Sequence, residues 1–285
     1  MRVLVIGNGQ LGSALAATAK ALGDELMVTA GTGWDVSDPV QVELTVKGFA
    51  PRQIFHTAAL TKVNYCEERP DLASLVNGRG TANVAAGAFA VGAELAYFST
   101  DYVFDGTAKS VVTEGSETHP LNAYGASKLE GESHVLGYSG GRIVRTSGVF
   151  GPRLDGSERN FFRAIFEKLT QTDGSIEVVD DQFTCVTYAP HLAAMTLELL
   201  PDLPKIVHLT SAGADSWCGW ARQLALVAGY DPGRIVPVPT DPSSPVRRPA
   251  YSVLGSQYER VNRIIGQYPA RNGISEYVRL LKGRL

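Results

Sequence analysis

Residues 1–12 read MRVLVIGNGQLG, an apolar, β-branched run followed at once by three glycines. Residues 2–6 predict a buried strand, and residues 11–22 carry alanine and leucine at helical spacing. The pattern Gly7-x-Gly9-x-x-Gly12 therefore falls where a first strand passes into a first helix. There the first glycine permits a tight turn, the second lets a pyrophosphate approach the backbone, and the third allows close strand–helix packing. The stretch predicts a dinucleotide-binding turn at a helix N-terminus.

The remainder of the first half repeats this alternation of strand and helix. Strands are predicted at residues 26–29, 53–55, 94–99 and 142–145, and helices at 39–49, 72–90 and 123–136. Such alternation indicates the α/β class, a doubly wound Rossmann-type parallel sheet with ligands at the carboxyl ends of its strands.

After Phe150 the pattern becomes irregular. Helices are predicted at residues 160–169, 191–200, 216–228 and near 275–281, and one more sheet strand at 205–209. We therefore expect a dinucleotide-binding domain at 1–150, with returning segments near 187–210. Residues 151–186 and 211–285 are expected to form a smaller α/β substrate-binding lobe.

Composition excludes several classes of protein. With 26 basic and 29 acidic residues among 285, the net charge of −3 argues against a nucleic-acid-binding surface. No apolar run approaches the ~20 residues of a membrane span, and the N-terminal stretch lacks a secretory signal pattern. Cys66, Cys185 and Cys218 are scattered, and neither they nor the histidines show metal-ligand spacing. We expect a soluble, cytoplasmic protein with buried thiols and no metal site.

The nicotinamide cofactor is left open between NADH and NADPH. Residues 29–33 read TAGTG, with neither a carboxylate for a ribose hydroxyl nor an arginine for a 2′-phosphate. The missing carboxylate slightly favours NADPH, because it removes a repulsion against the phosphate. Asp35 either reaches the adenine edge or caps the next helix.

A candidate catalytic group follows the strand at 94–99. Thr100 comes at the strand's end, and Tyr124 precedes Lys128 by four residues, which puts both on one helix face. A lysine ammonium there is expected to lower the pKa of the phenol, so that Tyr124 can protonate a carbonyl oxygen while Thr100 hydrogen-bonds it.

Several motifs together resemble the extended short-chain dehydrogenase/reductases, and more closely the dTDP-4-dehydrorhamnose reductase family, over nearly the whole chain. They are STDYVFDG at 99–106, PLNAYGASKLEGE at 120–132, RTS at 145–147 and RRPAYSVL at 247–254. The resemblance implies reduction by NADPH or NADH of the 4-keto group of a nucleotide-linked 6-deoxyhexose. The expected reaction is dTDP-4-dehydro-L-rhamnose to dTDP-L-rhamnose. The nucleotide sugar is the expected partner, and a homodimer is the candidate assembly.

The resemblance also implies roles for single residues. Asn77 would steady the helix that carries Tyr124. The catalytic residues would be Thr100, Tyr124 and Lys128; those at the cofactor Gly7, Gly9, Gln10, Leu11, Asp35, Val36, Ala58, Ala59, Thr61 and Lys128; and those at the substrate Thr100, Asp101, Tyr102, Gln182 and Arg248.

The chain departs from the family pattern at four places. Its glycine loop is one residue shorter, residues 183–186 replace a Gly and a Pro, and His191 replaces an aspartate. Gly148 stands where the family has a tryptophan near the sugar, which predicts a larger sugar pocket. Trp217 and Trp220 are interpreted as packing residues.

The alternative functions are a reductase of another nucleotide-linked keto sugar, an epimerase or dehydratase, and a regulatory protein. The last would be a non-catalytic, nucleotide-binding subunit of a methionine adenosyltransferase.

Overall fold

The computed structural model describes residues 1–29, 33–153, 155–202 and 204–284. Its strands are β1 Arg2–Ile6, β2 Glu25–Thr29, β3 Gln53–His56, β4 Glu94–Thr100, β5 Gly141–Thr146, β6 Val149–Phe150, β7 Ile176–Val179, β8 Phe183–Thr184, β9 Thr187–Tyr188, β10 Ile206–His208, β11 Asp215–Ser216, β12 Ile235–Val238 and β13 Tyr251–Ser252.

The α-helices of the same residues are α1 Gln10–Ala21, α2 Pro39–Phe49, α3 Val63–Glu68, α4 Pro70–Ala73, α5 Gly80–Val91, α6 Ala123–Leu136, α7 Phe161–Gln171, α8 Ala189–Leu199, α9 Trp217–Ala228, α10 Glu259–Ile265 and α11 Ala270–Lys282. The sequence patterns did not indicate α3 or α10.

Six strands form one parallel sheet in the order β10-β5-β4-β3-β1-β2. Alternate side chains of β1 point to opposite faces. Val3 and Val5 join a core with residues of α1 and α8, whereas Leu4 and Ile6 join a core with residues of α2 and α5. The doubly wound α/β fold predicted from the alternation is confirmed.

Residues 72–90 do not form the single α-helix that was predicted. A π-helical segment, Ser74–Arg79, separates α4 from α5. Its Gly78 lies so close to α6 that a Cβ would be 2.2 Å from Cδ of Glu130. The side-chain amide of Asn77, in the same segment, binds Ser127 of α6 and Leu60 in the loop after β3. Single wide turns of this kind often occur at functional sites.

The second half builds a separate core that includes Phe150, Trp220 and Tyr277. Its strands pair in small sheets, β11-β8-β13, β12-β7 and β6-β9. Two helices instead pack on the large sheet, because Leu192 of α8 and Val261 of α10 belong to the α1 core. No helix of the described residues is long and apolar enough to cross a membrane.

Candidate active site

The glycine loop joins β1 to α1 with very little free space. Gly7 has a φ of +104°, which disfavours any side chain, and a Cβ on Gly12 would lie 2.0 Å from the carbonyl oxygen of Gly7. A Cβ on Gly9 would meet no atom within 4 Å. Gly7 and Gly12 are therefore required by the loop itself, whereas Gly9 leaves the backbone open toward the space above it.

That space is a cleft of about 930 Å³ at the carboxyl ends of the strands. The first turn of α1 faces it, and Gly9 caps this helix without a side-chain hydrogen bond, so N–H groups remain for a ligand. All ten residues predicted to contact the cofactor line the cleft: Gly7, Gly9, Gln10, Leu11, Asp35, Val36, Ala58, Ala59, Thr61 and Lys128.

Three polar groups of the cleft make no hydrogen bond with any residue that the structure describes. The hydroxyls of Thr29 and Ser99 make no hydrogen bond with any described residue. The ammonium of Lys128, a side chain only 2% exposed, has no hydrogen bond or ion pair among the same residues. Because buried polar groups are nearly always satisfied, these three fit a bound ligand rich in hydroxyls and phosphates, as NAD(P)H is.

The end of the cleft at which the adenine was expected lies beside the start of α2. Asp38 caps α2 by accepting from the amides of Val40 and Gln41, so the alternative that Asp35 is the cap is wrong. Asp35 instead accepts from the amide and hydroxyl of Ser37. The choice between NADH and NADPH was argued from residues 29–33. Of these, residues 30–32 lie outside the described residues. Trp34, which sequence reasoning passed over, also lines the cleft.

Thr100, Tyr124 and Lys128 meet on one wall of the cleft. Burial raises the pKa of Tyr124 well above its ordinary value, and a hydrogen bond with Thr100 acts in the opposite direction. The expected net fall of this pKa is therefore not seen, since burial outweighs the opposing contributions and the Lys128 ammonium lies over the ring of Tyr97, 4.0 Å from its centroid. The phenol is thus held in its protonated form.

Lys128 is a buried base with an unusual environment. Burial lowers its pKa to about 7, and the nearby charge of Glu132 raises it. The Glu132 carboxylate accepts two hydrogen bonds from Arg145, from Nε at 2.9 Å and from one terminal nitrogen at 2.7 Å, and the two residues are 1% and 3% exposed. Burial lowers the pKa of neighbouring His56 to about 3, and the Lys128 charge adds to this. His56 is therefore neutral beside the ammonium.

Asn77 ties the helix of Tyr124 to the loop after β3. Its amide nitrogen donates to the hydroxyl of Ser127 at 2.9 Å and to the carbonyl of Leu60 at 3.0 Å. Its amide oxygen accepts from the Leu60 N–H at 2.8 Å. All of its side-chain contacts go to protein, so it can hold α6 in place but has little capacity left for a ligand.

A second, smaller cavity of about 170 Å³ lies on the other side of Thr100 and Tyr124. Of the predicted substrate residues, Thr100, Asp101, Tyr102 and Gln182 line it. Arg248 lines neither cavity, and its guanidinium donates to the Asn64 side chain at 2.6 Å and to the Tyr102 hydroxyl. Arg248 can therefore influence the small cavity mainly through its contact with Tyr102, which lines that cavity.

The carboxylate of Asp101 accepts hydrogen bonds from hydroxyl groups of three segments. Ser252 donates to it at 2.6 Å, Thr100 at 3.1 Å and Thr184 at 3.5 Å. Burial raises the pKa of Asp101 to about 6, and these hydroxyls oppose that rise. Sequence reasoning missed Ser252 and Thr184, since nothing local relates them to Asp101.

The glycine loop is joined to the second half through Gln10. Its amide oxygen accepts from the Gly151 N–H at 2.9 Å and from the Asn160 side chain at 2.7 Å. Asn160 also caps α7. The side-chain oxygen of Gln10 thus binds protein, although the residue lines the cleft.

Comparison with known proteins agrees with this geometry. The family of the RmlD substrate binding domain matches residues 1–282. A dTDP-4-keto-6-deoxy-D-glucose reductase of Streptomyces niveus is 36% identical over 89% of this chain and 88% of its own length. A dTDP-4-dehydrorhamnose reductase of Burkholderia thailandensis is 36% identical over 90% of this chain and 91% of its own.

Among solved structures, a dTDP-4-dehydrorhamnose reductase of Bacillus anthracis in complex with NADP superposes with a TM-score of 0.87. It is 31% identical, and the match covers 98% of this chain and 99% of that one. The chain belongs to the RmlD family of the extended short-chain dehydrogenase/reductases.

Proposed function

We propose that this protein reduces the 4-keto group of a dTDP-linked 6-deoxyhexose with NADPH, forming dTDP-L-rhamnose from dTDP-4-dehydro-L-rhamnose. The observation that carries the proposal is that Thr100, Tyr124 and Lys128 line one large cleft, and that Thr100 and Tyr124 also line the small cavity beside it. Two relatives, each 36% identical, bear the names of dTDP-4-keto-sugar reductases, and the Bacillus anthracis relative was solved with NADP.

The proton side of the reaction follows from the pKa values. When bound, NADPH supplies the hydride that the carbonyl carbon accepts. Tyr124 is protonated near neutral pH and gives its phenolic proton to the carbonyl oxygen. Thr100 lines the same cleft, and its single hydroxyl proton, which Asp101 accepts at 3.1 Å, turns to this oxygen when the sugar binds.

Lys128 has two roles in the proposal. Its ammonium, which makes no hydrogen bond with any described residue, donates hydrogen bonds to the ribose hydroxyls of the nicotinamide half. Its positive charge stabilises the tyrosinate that remains after the proton has left Tyr124. Glu132 helps to keep Lys128 protonated in spite of its burial.

The division into two lobes also belongs to the proposal. Residues 1–150 with the segment near 187–210 bind the cofactor, and residues 151–186 with most of 211–285 bind the nucleotide sugar. The helix α10 is set apart from the second lobe, because Val261 packs with the sheet. Action in the cytoplasm and a homodimeric assembly complete the proposal.

The direct experiment measures NADPH oxidation with dTDP-4-dehydro-L-rhamnose and with dTDP-4-keto-6-deoxy-D-glucose. Tyr124→Phe removes the proton donor and keeps the ring, so kcat should fall by about 10²- to 10⁴-fold. Tyr230→Phe is the matched control, because Tyr230 lies in neither cavity and packs on the second core.

Equal and negligible turnover of folded wild type and Tyr124→Phe on both sugars would contradict the proposal. If that inactive protein still bound NADPH and a methionine adenosyltransferase, the regulatory alternative would take its place.

A further inference from the structure

The three tryptophans of the chain differ in what the indole N–H binds. Trp34 donates to the Thr45 hydroxyl at 3.0 Å, and Trp220 donates to the Thr184 carbonyl at 3.0 Å. Trp217 is half-buried, and its indole N–H makes no hydrogen bond with any residue that the structure describes. Because Trp217 is half-buried rather than enclosed, this N–H is available to donate a hydrogen bond to a ligand.

Trp217 stands where the two cavities meet. Among the described residues, four line both cavities: Thr100, Tyr124, Gly148 and Trp217. Thr100 and Tyr124 are the two groups proposed to contact the carbonyl oxygen. The indole thus faces the space in which the reacting sugar would lie, and it comes from the opposite half of the chain.

The ring is held in position before any ligand arrives. Trp217 is the first residue of α9, and its backbone N–H donates to the Gln182 carbonyl at 3.3 Å. Its ring packs on Phe161, with the ring centroids 4.7 Å apart. A rigid aromatic surface loses little entropy when it binds a ligand.

No side chain reaches the same space from Gly148. This glycine has a φ of +52°, and a Cβ on it would lie 2.8 Å from the carbonyl oxygen of Cys185. Any larger residue would have to displace Cys185 and Val186, which precede β9. Where the two cavities meet, the aromatic side chains of the described residues are consequently those of Tyr124 and Trp217.

We propose that Trp217 is a specificity-determining residue for the sugar. Its ring covers the C–H face of the 6-deoxyhexose, and its indole N–H donates a hydrogen bond to a hexose oxygen. This inference rests on the proposed function and adds to it the residue that recognises the hexose rather than the nucleotide. Binding pockets for small molecules commonly combine an apolar aromatic wall with a few placed donors.

The test compares the affinities for dTDP-L-rhamnose and for dTDP, measured by calorimetry. The ratio of the two dissociation constants isolates the contribution of the hexose. In Trp217→Ala this ratio should shrink by about tenfold or more, while the dissociation constants of dTDP and NADPH stay unchanged. Trp217→Phe keeps the aromatic wall, so it should lose only part of the ratio.

Leu226→Ala is the matched control, because Leu226 lies on the same helix, is 59% exposed and lines neither cavity. In the wild type, dTDP-L-rhamnose but not dTDP should also change tryptophan fluorescence, and this change should disappear in Trp217→Phe.

An unchanged ratio in folded Trp217→Phe and Trp217→Ala would overturn the inference and leave the proposed function standing. Weaker NADPH binding with an unchanged ratio would overturn it too, since Trp217 would then belong to the cofactor. A wild type that binds neither dTDP nor dTDP-L-rhamnose would refute the proposed function, and the inference with it.

Discussion

The large cleft and the small cavity on either side of Tyr124 are built from different materials. Backbone forms the floor of the large cleft, where Gly7, Gly9 and Gly12 follow one another within six residues. Side chains form the small cavity, and they come from segments as far apart as Asp101 and Ser252. A backbone surface suits a ligand recognised through its phosphates, whereas a side-chain surface can be changed one residue at a time to suit a particular sugar.

The largest loss of stability is expected when a side chain is added to one of the glycines of the large cleft. In Gly12→Ala the new Cβ would collide with the Gly7 carbonyl at 2.0 Å, so the free energy of unfolding should fall by about 3 kcal/mol. Thermal unfolding and NADPH titration measure the two consequences, a lower Tm and weaker binding.

Gly9→Ala sharpens the same comparison, because its Cβ meets no protein atom within 4 Å. Its Tm should match that of the wild type, while NADPH binding weakens by about tenfold as the pyrophosphate loses its close approach. Wild-type affinity in this variant would show that the pyrophosphate does not approach Gly9.

A smaller effect is expected where one hydroxyl supports the small cavity. Ser252→Ala removes a 2.6 Å hydrogen bond to the buried Asp101 carboxylate and should destabilise the fold by about 2 kcal/mol. Because a donor to the charged form is lost, the pKa of Asp101 should rise further above about 6.

The acidic limb of kcat/KM against pH should then move to higher pH, since protonated Asp101 no longer fixes the Thr100 hydroxyl. Ser275→Ala, which removes an exposed hydroxyl on α11, is the control for stability and pH profile alike. If the acidic limb of kcat/KM against pH did not move in Ser252→Ala, the ionisation of Asp101 would have no part in catalysis.

The smallest effect concerns Gly148, at the border of both cavities. Gly148→Ala places a side chain at a φ of +52° and should lower the free energy of unfolding by about 1–2 kcal/mol. Gly174→Ala is the matched control, because its Cβ would meet nothing within 4 Å. Equal denaturant midpoints of the two variants would show that a side chain at position 148 causes no backbone strain.

The same contrast explains how far the sequence predicts this protein. The glycine loop could be identified because its residues are local and each spacing has a geometric reason. The doubly wound sheet follows from alternating patterns, and the pattern at residues 205–209 predicts one more strand, which the sheet contains as β10. Both rest on short-range order, which a single sequence carries.

Tertiary placement was beyond the sequence. The π-helical segment arises where Gly78 meets Glu130 of another helix. The pKa of Tyr124 rises because of burial, although the spacing to Lys128 alone suggested a fall. Trp217 could be placed in the first turn of a helix, but nothing local says that this turn faces the reaction space.

The two hydrogen bonds accepted by the side chain of Gln10 join the glycine loop to the second half of the chain. Because Gly151 and Asn160 both hold its amide oxygen, the halves cannot part at this seam without breaking two hydrogen bonds, together about 2 kcal/mol. A shift of one half relative to the other would therefore move the glycine loop. A ligand bound to that loop would, in turn, favour the arrangement in which Gln10 keeps both hydrogen bonds, so that binding at the loop and contact between the halves are coupled.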